Sequence, residues 1–127
     1  ILQNQEWKTL LETRHQAQYD VVRATWCADY NEPSTFLNML IGNASINTAY
    51  YHSEKYDRLL AQTLSASSDT ARAALYQQAE AQLDNDSAIV PVYYRVSVRL
   101  VKPWTGGFTG KDPLDMTDLK YYFIKKH

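Results

Sequence analysis

Disulfide chemistry within the chain is excluded at once, because its 127 residues hold one cysteine, Cys27. The same scarcity argues against a metal centre. Cys27 has no neighbour at ligand spacing, and neither do the three histidines, His15, His52 and His127. An excess of one charge is missing as well: 13 Lys and Arg against 14 Asp and Glu leave a net charge of −1. That balance offers no field to draw nucleic acid or an anionic membrane. No apolar run approaches the roughly 20 residues needed to span a bilayer, and neither internal repeats nor low-complexity tracts occur. What remains is the composition of a folded piece, 45% hydrophobic and 21% charged, of a size one ordinary domain can have.

What the chain does have is tyrosine, ten against three phenylalanines. A phenol combines a flat apolar body with a polar tip. It suits contact with variable ligands, and equally it suits the edge of a core, which is the plainer reading.

Hydrophobic periodicity divides the chain into mixed α/β elements. Trp7, Leu10, Leu11 and Arg14 recur at helical spacing and predict a helix over 4–16, with Arg14 closing its apolar stripe. The guanidinium there either reaches into water or meets a buried anion. Pro33 suits a helix start and Gly42 a stop, so 34–41 reads as a short helix, followed by a turn-rich stretch over 43–52. Ser53 can cap a third helix with Tyr56, Leu59, Leu60, Thr63 and Leu64 inward. Asp69 can cap a fourth, running to about Leu83 with Leu75, Tyr76, Ala79 and Leu83 inward, and the two should pack as a helical hairpin. From Ala88 to Val101 the period becomes two: Val92, Tyr94, Val96, Val98 and Leu100 alternate with Tyr93, Arg95, Ser97 and Arg99. This predicts a strand or strand pair with one buried face, Pro91 lying at its start or on an edge. Lys102–Gly107 reads as a turn, and Tyr121–Ile124 as a closing strand.

Chemistry concentrates between Arg23 and Pro33, where Arg-Ala-Thr-Trp-Cys-Ala-Asp-Tyr-Asn-Glu-Pro packs a cation, an indole, the cysteine and two carboxylates into one segment. Tyr19–Thr25 has the β-branched content of a short strand, so the cluster should sit where a strand gives way to a loop, a common place for ligand contacts. In an extended backbone Arg23, Thr25, Cys27 and Asp29 share one face and Trp26 takes the other. A carboxylate such as Asp29 can hold an ammonium or cap nearby backbone amides. Cys27 reads as a buried or bridged structural residue more readily than as a nucleophile, since no base can be assigned to it.

Several segments together resemble a known family: Gln3-Asn4-Gln5-Glu6-Trp7-Lys8, Trp26-Cys27-Ala28-Asp29-Tyr30-Asn31-Glu32-Pro33, Asp86-Ser87-Ala88-Ile89-Val90-Pro91-Val92-Tyr93-Tyr94, Arg99-Leu100-Val101-Lys102-Pro103-Trp104 and Thr109-Gly110-Lys111-Asp112-Pro113. In register over essentially the whole chain, they are similar to the C-terminal part of periplasmic oligopeptide-binding proteins, the receptors of bacterial peptide importers. The resemblance implies a two-lobed, class II solute-binding fold of which these residues are a C-terminal fragment, in keeping with an opening of Ile1-Leu2-Gln3-Asn4 in place of a Met start or signal peptide. It places 1–96 in the C-terminal ligand-binding lobe, with 97–127 crossing back to the N-terminal lobe.

It also implies roles. The Asp of Trp-Cys-Ala-Asp-Tyr, here Asp29, holds the ligand's α-amino group, and Trp26 forms a tolerant side-chain pocket wall. Arg23 lies near the C-terminal end of shorter peptides, Arg14 lines the cavity, and Cys27 pairs with a cysteine far upstream, outside these residues. The expected partners are short peptides, an inner-membrane ABC permease and the remaining lobe; no cofactor and no nucleic acid are expected. One departure stands out: Tyr-Tyr-Arg-Val-Ser at 93–97 replaces Tyr-Tyr-Tyr-Val-Asn. Were Arg95 to face the ligand, acidic peptides would be favoured; its shared parity with Arg99 points instead to solvent. A murein-peptide-binding paralogue and a thiol hydrolase built on Cys27 are the rival readings.

Overall fold

Serine capping and apolar periodicity carry through to the helices. In the computed structural model, which describes residues 1–112, 114–116 and 118–126, Ser53 accepts a hydrogen bond from the Tyr56 N–H and opens a helix over Glu54–Thr63. Pro113 of the resemblance motif and His127 lie outside the described residues. In chain order the helices are α1 (Trp7–His15), α2 (Ser34–Leu37) continuing as a 3₁₀ turn over Asn38–Leu40, α3 (Glu54–Thr63) and α4 (Asp69–Asp86). A second 3₁₀ turn (Leu119–Tyr121) and two short strands, β1 (Thr105–Gly106) and β2 (Phe123–Ile124), follow.

The core is a helical hairpin. Tyr56, Leu59 and Leu60 of α3 meet Tyr76, Ala79 and Leu83 of α4, and Leu37 and Leu40 close one side. Two expectations about this pair need correcting. Ser68, not Asp69, caps α4 by accepting from the Ala71 N–H, because the residue one step earlier still has the extended backbone a cap requires. Leu64 is exposed, since α3 ends at Thr63 and the chain turns away there.

α1 forms where expected but buries no residue completely. Polar bonds hold it, the Tyr50 hydroxyl donating to the His15 carbonyl at 2.6 Å and Arg14 Nη2 to Thr48 Oγ1 at 2.6 Å, and just beyond its end the Tyr19 hydroxyl donates to the Thr48 carbonyl. Trp7, predicted on its inward stripe, is largely exposed.

The strand expectations fail in most places. Neither Tyr19–Thr25 nor Ala88–Val101 forms a ladder, and among the described residues no backbone hydrogen bond joins 89–101 to another segment. The face meant to be buried is open, with Tyr94 98%, Val96 77% and Leu100 98% exposed. A strand exists only through a paired edge, and the described residues supply no edge for this one. The predicted turn at 102–107 instead contains β1, which pairs antiparallel with β2, Thr105 opposite Ile124 and Gly106 opposite Phe123. Glycine is required there. A Cβ on Gly106 would lie 2.3 Å from the Phe123 ring, and one on Gly107, at φ 87°, 1.8 Å from the Tyr121 carbonyl oxygen. The closing strand is correspondingly short, beginning only at Phe123.

An exposed, unpaired run of valines, tyrosines and leucine is an association surface. The 127-residue chain at micromolar concentration should therefore scatter light as an oligomer or a broad species, and a sharp monomer peak over a tenfold concentration range would contradict this.

Candidate functional site

The loop from Trp26 to Pro33 is fixed from below. The Asp29 N–H donates to Oγ1 of buried Thr35 at 3.0 Å, the Tyr30 hydroxyl lies 2.9 Å from Ser34 Oγ, and the Glu32 carboxylate accepts from the Ser34 N–H at 3.0 Å. Glu32 also accepts from the Ser34 hydroxyl and from the hydroxyl of Tyr76 on α4. Partial burial pushes the Glu32 carboxyl upward, but these bonds, with some help from the Arg72 charge, outweigh it and hold its pKa below the ordinary value of 4.5. The same bond, after desolvation, holds the Tyr76 phenol above its usual value.

The Asp29 carboxylate is different. It is exposed, and among the described residues it accepts no hydrogen bond and joins no ion pair. Trp26 beside it is 39% exposed, and Cys27 is a free, exposed thiol. Cys27 is thus exposed and not buried as one of its two structural readings had it, while the cysteine that the resemblance pairs it with lies outside these residues. No histidine among the described residues hydrogen-bonds to it, and no cluster of three metal-ligating side chains occurs among those residues.

A second feature lies at α1. An open cleft of about 340 Å³ is lined by Trp7, Leu10, Arg14, Arg23, Thr25 and Arg95. It brings together two of the predicted site residues, Arg14 and Arg23, and leaves Trp26, Cys27 and Asp29 outside its wall. Arg23 Nη2 donates to the Tyr93 hydroxyl at 2.8 Å. Arg14, besides its bond to Thr48, has a buried Nε with no partner. None of the three guanidiniums pairs with a carboxylate among the described residues.

Arg95 was expected in solvent and is exposed, yet it lines this cleft. Its parity with Tyr93, which meets Arg23, was the signal that could have found it. The parity with Arg99 misled, since Arg99 turns to Asp115, 2.5 Å away. A neighbouring cleft of about 380 Å³ contains Arg99, Lys102, Phe108 and Tyr122; there the cations are engaged, Arg99 by Asp115 and Lys102 over the Trp104 ring at 5.6 Å.

Acidification tests the anchoring of the loop. The lowered Glu32 pKa contributes stability that is complete above about pH 4.5 and disappears as pH falls through the lower folded value. Glu32→Gln should cost about 1 kcal/mol near neutrality and flatten the decline of the urea midpoint between about pH 5 and pH 3. An unchanged acid slope would mean that Glu32 does not anchor the loop.

No family model matches the chain. Among curated proteins it is 61% identical to the periplasmic oligopeptide-binding protein OppA of Salmonella typhimurium, over 99% of this chain and 23% of that protein. Among solved structures, Haemophilus influenzae OppA in complex with RPPGFSPFR superposes with a TM-score of 0.89 at 44% identity, over 99% of this chain and 25% of that one. The Escherichia coli murein tripeptide binding protein MppA gives 0.90 at 41%, over 100% and 25%. The chain thus spans about a quarter of the length of these relatives.

Proposed function

The chain belongs to the periplasmic oligopeptide-binding protein family, and on that premise we propose that it forms part of an extracytoplasmic receptor that captures short peptides and delivers them to an ABC permease. The observation that carries this is a pair of unsatisfied charges of opposite sign. The Asp29 carboxylate and the Arg14–Arg23 cleft both lack counter-charges within the described residues. A peptide with free termini brings both missing groups, an ammonium and a carboxylate.

In this reading Asp29 takes the ammonium through a charge-assisted hydrogen bond. Arg23 takes the terminal carboxylate of short ligands, with Arg14 lining the same cavity. Trp26 packs against ligand side chains without demanding hydrogen bonds, and Cys27 sits in the wall between Trp26 and Asp29. Main-chain pairing of the ligand gives affinity that is independent of sequence. Residues 1–96 belong to the ligand-binding lobe, and 97–127, with the β1–β2 pair, cross to the other lobe. The rest of the receptor lies outside these 127 residues.

The protein is a binder and not an enzyme. The relatives are named as binding proteins, and among the described residues no base hydrogen-bonds to the Cys27 thiol to activate it as a nucleophile. The oligopeptide reading stands ahead of the murein-peptide one because identity is 61% to the former type of relative and 41% to the latter. A periplasmic location follows from the same relatives, which are named periplasmic.

The test is calorimetry on the receptor that carries this segment. Tripeptides with a free amino terminus should bind, their N-acetylated forms should bind at least about tenfold more weakly, and Asp29→Ala should lose a similar factor. Equal affinity for free and acetylated peptides would exclude Asp29 as the ammonium partner.

A further inference from the structure

We propose that Arg95 makes the cleft beside α1 a site for two carboxylates, so that the receptor favours peptides with an acidic side chain next to the terminal carboxylate. This rests on the peptide-binding reading above and deepens it by naming a ligand class. Three guanidiniums line the cleft, from Arg14, Arg23 and Arg95. Three like charges gathered in one cleft are offset by anions, and a guanidinium's planar fork suits carboxylates.

The protein supplies hydroxyls instead. Thr48 accepts from Arg14 and Tyr93 from Arg23, while Arg95 makes no hydrogen bond or ion pair to the described residues. Arg14 Nε is buried without a partner, a donor left over after the hydroxyls are used. One terminal carboxylate answers one guanidinium, and the cleft then still carries two. The fork of a guanidinium matches a carboxylate through two parallel N–H donors, so an Asp or Glu side chain is the group that fits the surplus. Trp7 and Leu10 form the apolar part of the lining, against which the methylenes of a glutamate can pack. The neighbouring cleft at Arg99 gives no such surplus, because Asp115 already occupies its cation.

The experiment compares Ala-Ala-Glu with its neutral isostere Ala-Ala-Gln on the receptor that carries this segment, with and without Arg95→Gln. The isostere keeps the size and one acceptor oxygen, and removes the charge together with the second acceptor that the guanidinium fork would use. The glutamate peptide should bind at least about fivefold more tightly to the unmodified receptor. In the Arg95→Gln variant that ratio should fall to near one. Equal binding of both peptides to the unmodified receptor, or a preference that survives Arg95→Gln, overturns the proposal while leaving the peptide-receptor reading intact. If neither peptide binds the unmodified receptor, both fail together. Because Arg95 is exposed and bonded to none of the described residues, the variant should fold normally, and an unchanged urea midpoint verifies it.

Discussion

Among the described residues Tyr56 is the one large side chain with no exposed surface, and its hydroxyl donates to the Leu37 carbonyl at 2.7 Å. That bond ties α3 to the end of α2, directly behind the loop that carries Trp26, Cys27 and Asp29. Burial, with smaller contributions from the charges of Tyr51, Asp57 and Glu80, pushes the phenol's pKa strongly upward. The group therefore remains a neutral donor at any pH the protein meets. Its loss would remove this tie between α3 and α2 from the core, at a cost of about 1 kcal/mol. Glu32 repeats the device one layer out: a carboxylate on the loop and a tyrosine on α4 fix the approach of the chain to the site.

Tyrosine is the common element. Tyr51 donates to Asp86 at 2.6 Å while its ring meets Tyr56 edge-on at 5.5 Å, and Tyr50 holds α1, and Tyr19 the chain just beyond it, to the 48–50 turn. Six of the ten phenols thus join segments distant in sequence through their tips, and five of them lie away from the cleft, which favours the plainer reading of this composition over a tyrosine-lined ligand site. Tyr93 is the exception, its hydroxyl accepting from Arg23 at the cleft. A helix anchored by hydroxyls rather than by buried area is cheap to position and leaves one face free. Arg14 uses that freedom, with one nitrogen on Thr48 while its side chain lines the cleft.

Legibility in the sequence followed the range of the interactions involved. α3 and α4 were readable because a cap, a stripe and a stop all lie within a few residues of one another. Periodicity of two was equally plain over Val92–Leu100, but a strand is a relation between two segments, and alternation says nothing about whether the other is present. The Trp26–Pro33 loop could be located from its residue types. Its geometry could not, since it depends on Thr35 and on Tyr76, 44 positions beyond Glu32. Arg95 shows the same limit. Parity grouped it with both Tyr93 and Arg99, and only contacts across some 70 positions, as between Arg23 and Tyr93, separate the two cases.

The open segment and the cleft are two aspects of one stretch of chain. Within 92–96, Tyr93 and Arg95 turn to Arg23 and the cavity, while Val92, Tyr94 and Val96 stand in solvent without a ladder. Whatever pairs with this stretch must order its backbone, and ordering it fixes where Arg95 can reach. Closure over the apolar side and charge recognition on the polar side are therefore coupled through the same few dihedrals. Enclosure would also lower the dielectric around the guanidiniums and strengthen every contact they make. A net charge of −1 conceals this arrangement, because an average over 127 residues cannot register a carboxylate and three guanidiniums that lack counter-charges among the described residues.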